Sequence, residues 1–316
     1  MAIIPVRDEA HWHELRAANI GGSDVAALLG ISPYKSKWQL WMEKTGKLEV
    51  ADLSTNTAVQ AGTFLESGIA NWASHRWNMD LSKVTDYYTA EDVAGMGASL
   101  DYITQTNKPA EIKWSARGHG WQYDGDKITE APEYYLIQVQ HQIACLNANG
   151  IDADSGWLIA LIDNEPRRML VPRHDGVVAA IREAITGFWV SVIASQEPDP
   201  DFSLDGEAIT KMFGTLPMAE VELDSDAAPL FAKYLDATAT EKLAKESKEA
   251  LKAELLYLGA EKLKGSNQST DKAIIRCGDH KISISTVAPN FGTEVTQEMV
   301  GTHINTRKGY QTVRIS

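Results

Sequence analysis

Three charged residues in the stretch SLDYITQTNKPAEIKW, residues 99–114, have types and spacing suited to attack on a phosphodiester. Asp101 lies in one short strand-like run. Glu111 and Lys113 lie in a second, beyond a polar turn at 104–109. On paired strands the two carboxylates can point to the same side and share a hard cation such as Mg²⁺ or Mn²⁺. Lys113 is two residues past Glu111, so it projects from the same face. Ile112 between them faces the other way, toward a core, and its carbonyl oxygen is free to serve as a further ligand. A cation there would activate a water beside an ammonium group that orients it and offsets charge building on the phosphate. By themselves the three charges also fit a solvated hairpin, because this spacing is common by chance.

The flanking pattern indicates the elements that must hold them. Residues 8–19 read as a helix. The Gly21-Gly22 turn precedes Ser23 and Asp24, N-cap candidates for a short helix ending at Gly30. Ser36 opens another helix closed by Gly46. A long helix is predicted over about 56–77, with Leu65, Ile69 and Trp72 on one side. Strands follow near 82–88, 96–103 and 109–114. A helix over 132–150 starts at Pro132, ends at Gly150 and carries Leu136, Val139, Ile143 and Leu146 as its apolar stripe. Strands at 155–162 and 167–172 and a helix over 175–195 complete an α/β core, a mixed sheet flanked by helices, over residues 1–200. Residues 201–228 read as an acidic linker or flap. Residues 229–316 read as a charged amphipathic helix, with Leu251, Leu255 and Leu258 at i, i+4, i+7, and two or three short strands, among them KAIIRCGDHKISIST and GYQTVRIS. This last region is a candidate subunit or partner contact.

Composition bounds the function. Over 316 residues, 44% hydrophobic and 23% charged content is that of an ordinary globular chain. No apolar run approaches the roughly 18–20 residues needed to span a bilayer. The N-terminus shows no basic-then-apolar signal pattern, and Cys145 and Cys277 form no C-x-x-C pair. The expectation is a cytoplasmic protein with reduced thiols and no membrane partner. The net charge of -13 argues at first against nucleic acid, but residues 197–228 hold nine acidic side chains and one lysine, Lys211. A local basic groove elsewhere is compatible with that total. Trp38, Trp41 and Trp72 read as packing rather than base-stacking platforms. Eight scattered histidines show no zinc spacing, and GMGASL lacks the third glycine and the following helix of a dinucleotide fingerprint. Gln140 and His141 read as a solvated or structural helix face, and Cys145 as a small buried hydrophobe.

Several blocks occur in a specific order: IGGSDVAALLGISPYKSKWQLWMEKTG at 20–46, then GTFLESGIANW, GASLDYI, EIKW and YYLIQVQHQIACL. Over roughly residues 10–195 this order resembles the YqaJ-type viral recombinase family, which is similar to lambda exonuclease and belongs to the PD-(D/E)-x-K nuclease superfamily. The resemblance implies a restriction-endonuclease-like α/β core with a C-terminal helix-plus-strands extension. Asp101, Glu111 and Lys113 match the core motif, with Leu100 where proline is usual. Glu66 matches the helical glutamate that completes the metal site. Tyr135 and Gln138 match the helix motif, with Gln138 placed to bond the attacking water or a phosphate oxygen. Arg16, Ser23 and Ser99 match the holders of a terminal 5′-phosphate. Arg16 can grip phosphate in a bidentate fork, and Ser23 sits near a helix N-terminus.

The implied activity is a metal-dependent 5′-to-3′ exonuclease acting on 5′-phosphorylated ends of double-stranded DNA. It would release mononucleotides and leave a 3′ single strand for recombination. Two Mg²⁺ (or Mn²⁺) ions are implied. Asp101 bridges them, Glu111 and the Ile112 carbonyl complete one, and Glu66 holds the second. The resemblance also implies a ring-shaped homotrimer, a single-strand annealing protein as partner, and a phage or prophage gene expressed in the bacterial cytoplasm. Two alternatives stay open: a structure-selective or restriction-like endonuclease on the same core, and a non-catalytic DNA-end-binding recombination scaffold. The intact Asp101, Glu111, Lys113 set weighs against the last.

Overall fold

Short apolar runs that alternate with helical periodicity fold here as strands sandwiched by helices. The computed structural model describes residues 2–214, 222–263, 272–277 and 280–285. They fall into two units, Met1–Thr215 and Leu216–Ser316.

The first unit begins with β1 (Ala2–Pro5), α1 (Glu9–Ala18), α2 (Gly22–Leu28), α3 (Lys37–Lys44) and α4 (Thr57–Trp77). Six short strands follow: β2 (Leu81–Lys83), β3 (Asp86–Thr89), β4 (Gly97–Ser99), β5 (Tyr102–Thr104), β6 (Pro109–Ser115) and β7 (Gln122–Asp124). After β8 (Lys127–Glu130) come α5 (Glu133–Ala148), β9 (Ser155–Ile162), β10 (Glu165–Pro172), α6 (Asp175–Ile193) and α7 (Gly206–Phe213). A seven-stranded sheet has the order β2-β5-β6-β9-β10-β8-β7, and a three-stranded sheet the order β1-β3-β4. β5 and β6 pair antiparallel, while β9 lies parallel to β6 and antiparallel to β10. Parallel pairing of β6 and β9 requires a crossover, and α5 supplies it. This is the mixed α/β arrangement expected from the sequence, a mixed sheet flanked by helices: a helix, a hairpin, a crossing helix and a parallel strand.

The two strands predicted at 82–88 and 96–103 each break in the middle. β2 and β5 belong to the large sheet, whereas β3 and β4 belong to the small one. The chain therefore changes sheets twice, at Val84 and at Asp101. The two crossings are tied together by the Val84 amide donating to the Asp101 carbonyl at 3.2 Å. A single alternating run in sequence does not reveal such a switch, because side-chain alternation continues through it.

Several other expectations are corrected. Gly21, not Ser23 or Asp24, is the N-cap of α2, and Asp24 Oδ2 accepts from the Gly21 amide at 3.2 Å. On α4 the buried residues are Ile69, Ala70 and Ala73, while Leu65 and Trp72 stay exposed. That helix lies close against Tyr102, Ala110, Ile112 and Ile159, and the small residues allow the approach. Burying Ile112 there contributes about 1.5–3 kcal/mol. α6 is, by length and composition, apolar enough to cross a membrane, although Arg182 and Glu183 interrupt its apolar run. Its Val178, Ile181, Ile185 and Phe188 are buried in the protein core, and Arg182 pairs with Asp92. β1, β7, β8 and α7 were not anticipated. They are short, and their burial alternation is weak.

Trp38 and Trp41 are buried as expected, as is Cys145. His141 bonds the Gly97 carbonyl at 2.8 Å, and Gln140 donates to the Pro172 carbonyl, so both are structural. Residues 201–214 lie in the first unit. Asp205 is 0% exposed and accepts from the Ser36 hydroxyl at 2.8 Å. The second unit contains a 3-10 turn (Ser225–Ala227), the 36-residue α8 (Ala228–Leu263) and an antiparallel hairpin of β11 (Lys272–Cys277) and β12 (His280–Ser285). Leu251, Leu255 and Leu258 share one face of α8, as their spacing predicts. The strand expected at 309–316 lies outside the described residues.

Candidate active site

The hairpin register sets the carboxylates side by side. Tyr102 pairs with Ala110, so Asp101, one residue before Tyr102, comes opposite Glu111. There the chain leaves the large sheet, and the ladder between β5 and β6 stops. The Asp101 carboxylate takes over from the missing strand: its Oδ2 accepts from the Ile112 amide at 2.8 Å. In a strand the amide and carbonyl of one residue share a side, so the Ile112 carbonyl points to this same edge. Lys113, on the Glu111 face of β6, donates from Nζ to Glu111 Oε1.

Glu111 is only 1% exposed, and burial of a carboxylate demands donors. α5 supplies two. Gln138 Nε2 donates to Oε1 at 2.6 Å, and Gln142 Nε2 donates to Oε2. These glutamines are four residues apart and share one helix face. Gln142 was missed by sequence reasoning, although its i, i+4 spacing from Gln138 could have flagged it. Its own Oε1 is buried and has no hydrogen-bond partner. Tyr135, on the preceding turn, lies 5.1 Å from Lys113 Nζ by its ring centre.

Charge around the pair is unbalanced. Glu66 on α4 is bonded to Lys83 on β2, not turned onto Asp101 and Glu111. Among the described residues no three Asp, Glu, His or Cys side chains gather closely enough to hold a metal ion by themselves. Lys83 thus answers Glu66, and Lys113 answers Glu111. Among the described residues no lysine is ion-paired with Asp101, and Lys113 offsets its charge only in part. Burial, and after it the neighbouring Glu111 charge, push its carboxyl up to about 8, with Glu66 adding to the same effect. For Lys113, burial alone would lower the ammonium. The Glu111 and Asp101 charges outweigh it, and the net shift is upward. A half-buried acid beside a buried carboxylate, with a main-chain carbonyl on the same edge, fits a hard divalent cation. The residues able to hold one are Asp101, Glu111 and Ile112 through its carbonyl, with Glu66 one ion pair away.

Arg16, Ser23 and Ser99 form a second cluster next to this one. Arg16 Nη2 donates to Ser23 Oγ at 3.1 Å. Trp12, which the sequence did not single out, joins them: its ring lies 4.6 Å from the Arg16 guanidinium, and its Nε1 donates to Ser99 Oγ at 2.9 Å. The α1–α2 junction is fixed by Lys44, which donates to the Arg16 and Asn19 carbonyls and pairs with Asp24 at 3.1 Å. A bridge between Ile20 and Met96 ties the same junction to the approach of β4, which carries Ser99. Gly22 brings the cluster against the carboxylate site, since a Cβ there would stand 3.0 Å from Gln138 Cγ. Gln138 thus touches Glu111 on one side and the Gly22 backbone, which precedes Ser23, on the other.

Residues 11–149 match the model of the YqaJ-like viral recombinase domain. The uncharacterized protein YqaJ of Bacillus subtilis strain 168 is 27% identical over 219 residues, 68% of this chain. The chain spans 65% of the length of that curated relative. Among solved structures, an alkaline exonuclease of Laribacter hongkongensis is similar with a TM-score of 0.45 and 18% identity, covering 64% of this chain and 99% of that one. A phage-related exonuclease of Haemophilus somnus 129PT has a TM-score of 0.42 and 12% identity, covering 56% and 96%. The matched span contains the carboxylates, Lys113 and the Arg16 cluster alike, and over it the chain is similar to the YqaJ-like viral recombinase domain.

Proposed function

We propose that the protein is a DNA exonuclease that digests one strand of a duplex from a 5′-phosphorylated end, releasing mononucleotides and leaving a 3′ single strand. The observation that supports this reading is the packing of α2 on α5, where Gly22 lies against Gln138, the glutamine that bonds Glu111, and is followed in the chain by Ser23, which bonds Arg16. The carboxylate pair with its lysine suits hydrolysis, and the arginine with its two serines suits a terminal phosphate, which distinguishes an end from internal DNA. Divalent ions, Mg²⁺ or Mn²⁺ and two to a site, would polarise the scissile phosphate and activate water when bound by Asp101, Glu111, the Ile112 carbonyl and Glu66. Lys113 holds a positive charge where negative charge develops on the phosphate. Gln138 orients Glu111 through one amide proton and keeps a second for water or a phosphate oxygen. Arg16, Ser23 and Ser99 grip the terminal phosphate, with Tyr135 beside the cleaved strand.

The first unit would form the nuclease core, with α7 packed onto it, the acidic residues that follow up to 228 a segment that keeps DNA off the outer surface, and 229–316 a contact for other subunits or for a single-strand annealing protein. The working form would be a ring-shaped homotrimer in the cytoplasm. The deciding experiment offers 5′-phosphorylated linear duplex and covalently closed circular DNA with Mg²⁺. Nucleotide release from the linear form alone is expected. Cutting of the circle would favour an endonuclease, and binding without cleavage would favour an end-binding scaffold. Lys113→Ala should abolish cleavage while its thermal melting stays near that of the parent, and a fully active Lys113→Ala protein would sink the assignment.

A further inference from the structure

Tyr34 is an oddity that the site does not use. It is 73% exposed, in the connection between α2 and α3. Its backbone is nonetheless pinned, because Ser32 Oγ accepts from the amides of Tyr34 and Lys35 at 3.1 and 3.3 Å. A fixed turn therefore presents a large ring to solvent. That ring begins a continuous aromatic series. Tyr34 meets Tyr134 edge-on at 5.8 Å, with the two hydroxyls 3.4 Å apart. Tyr134 packs on Tyr135 at 4.3 Å, and Tyr135 stacks on the buried Trp121 at 5.5 Å and 27°. Tyr135 in turn faces Lys113. The series thus runs from the ammonium of the candidate active site to an open tyrosine at the surface. Its inner members are accounted for by packing, but Tyr34 is not. Burying it would gain apolar contact that the fold leaves unused.

We propose that Tyr34, backed by Tyr134, is a stacking platform for an unpaired nucleobase of the strand being degraded. This rests on the nuclease reading of the Asp101–Glu111–Lys113 site. To be cut one nucleotide at a time, a duplex end must separate, and a separated base exposes a π-face that seeks a new partner. A tyrosine face accepts any of the four bases, as an end-reading enzyme without sequence preference requires. Lys37, exposed at the start of α3 three residues further on, places positive charge in the chain beside the platform, where the phosphates of a splayed strand would pass, whereas Lys35 is paired with Glu43.

The test uses the full-length protein with Ca²⁺ in place of Mg²⁺ and two 5′-phosphorylated duplexes with a frayed end. One has bases at the two terminal 5′-strand positions, and the other has abasic sites there. Binding is followed by fluorescence anisotropy. The wild-type protein should bind the base-bearing end about tenfold more tightly, the ratio that one stacked base supplies. Tyr34→Ala should lose that preference and bind both ends equally, whereas Tyr34→Trp should keep it. Equal binding of the two ends by wild-type protein would overturn the proposal, and that comparison needs no variant. So would a Tyr34→Ala protein with its preference intact, as expected if the exposed ring served a protein partner instead. Nucleotide release by wild-type protein with Mg²⁺, measured in parallel, reports on the nuclease reading separately.

Discussion

Asp101 is the carboxylate with most to gain from a cation. Its folded-state value, pushed up to about 8 by burial and Glu111, lies above the ordinary carboxylate range. The neutral acid's contribution to stability is therefore complete below about pH 4 and is lost as pH rises toward and through 8. Metal-free protein should lose stability across that window relative to Asp101→Asn, which has no proton to give up. Denaturant midpoints at several pH values check this. Because a cation displaces the proton, affinity for Mn²⁺ should rise between about pH 6 and 8 with proton release, measurable by calorimetry in buffers of different ionisation enthalpy. Gln142 supports a related prediction. Gln142→Leu leaves Glu111 Oε2 buried without that donor, at a cost of about 1–3 kcal/mol to the metal-free fold. Mn²⁺ should recover part of the loss by occupying the lone pair. An unchanged midpoint without metal would show that Gln142 does not support Glu111.

At the scale of elements, α2 packs on α5, and Gly22 lies against Gln138 where they cross. Gly22→Ala would place a methyl group 3.0 Å from Gln138 Cγ and push that side chain back by a few tenths of an ångström. The expected result is a loss of about 1–3 kcal/mol of stability from overpacking, together with a drop in turnover as Gln138 leaves Glu111. Thermal melting and steady-state rates on linear DNA would separate the two effects, and a variant with wild-type turnover would show that Gln138 tolerates the displacement. Helices were the legible elements. α3 begins after Ser36, whose hydroxyl accepts from the Gln39 amide at 3.0 Å, and α4 follows Asn56, which caps it in the same manner. These signals are local, so they can be read without the fold. The short strands were less legible, because the partner of a strand is set by residues far away in the chain.

At the scale of the whole molecule, a homotrimer needs a surface to assemble through. Phe64 on α4 is 81% exposed, with Leu65 and Trp72 on the same helix. If the ring forms through this helix, Phe64→Asp should lower the molar mass in light scattering from three chains to one, while leaving the melting temperature little changed. A monomeric wild-type protein would remove the ring from the proposed mechanism. Net charge also acts at this scale. With -13 overall, the proposed DNA substrate would have to be held by local cations such as Arg16, and affinity for duplex ends should then fall steeply with salt.

By itself the sequence determined the α/β class, the starts of α3 and α4 and the Asp101, Glu111, Lys113 spacing that joins carboxylates to an ammonium. Those are properties of neighbouring residues: caps, periodicity and alternation act over a few positions. Only the tertiary structure decided that the chain switches sheets at Asp101, freeing its carboxylate to accept from Ile112. It also brought in Gln142, Trp12 and Lys83, whose partners lie 31, 87 and 17 residues away in the chain. A side chain's charge and donors are written in its type. Which buried carboxylate receives them depends on burial, and burial is a property of the whole fold.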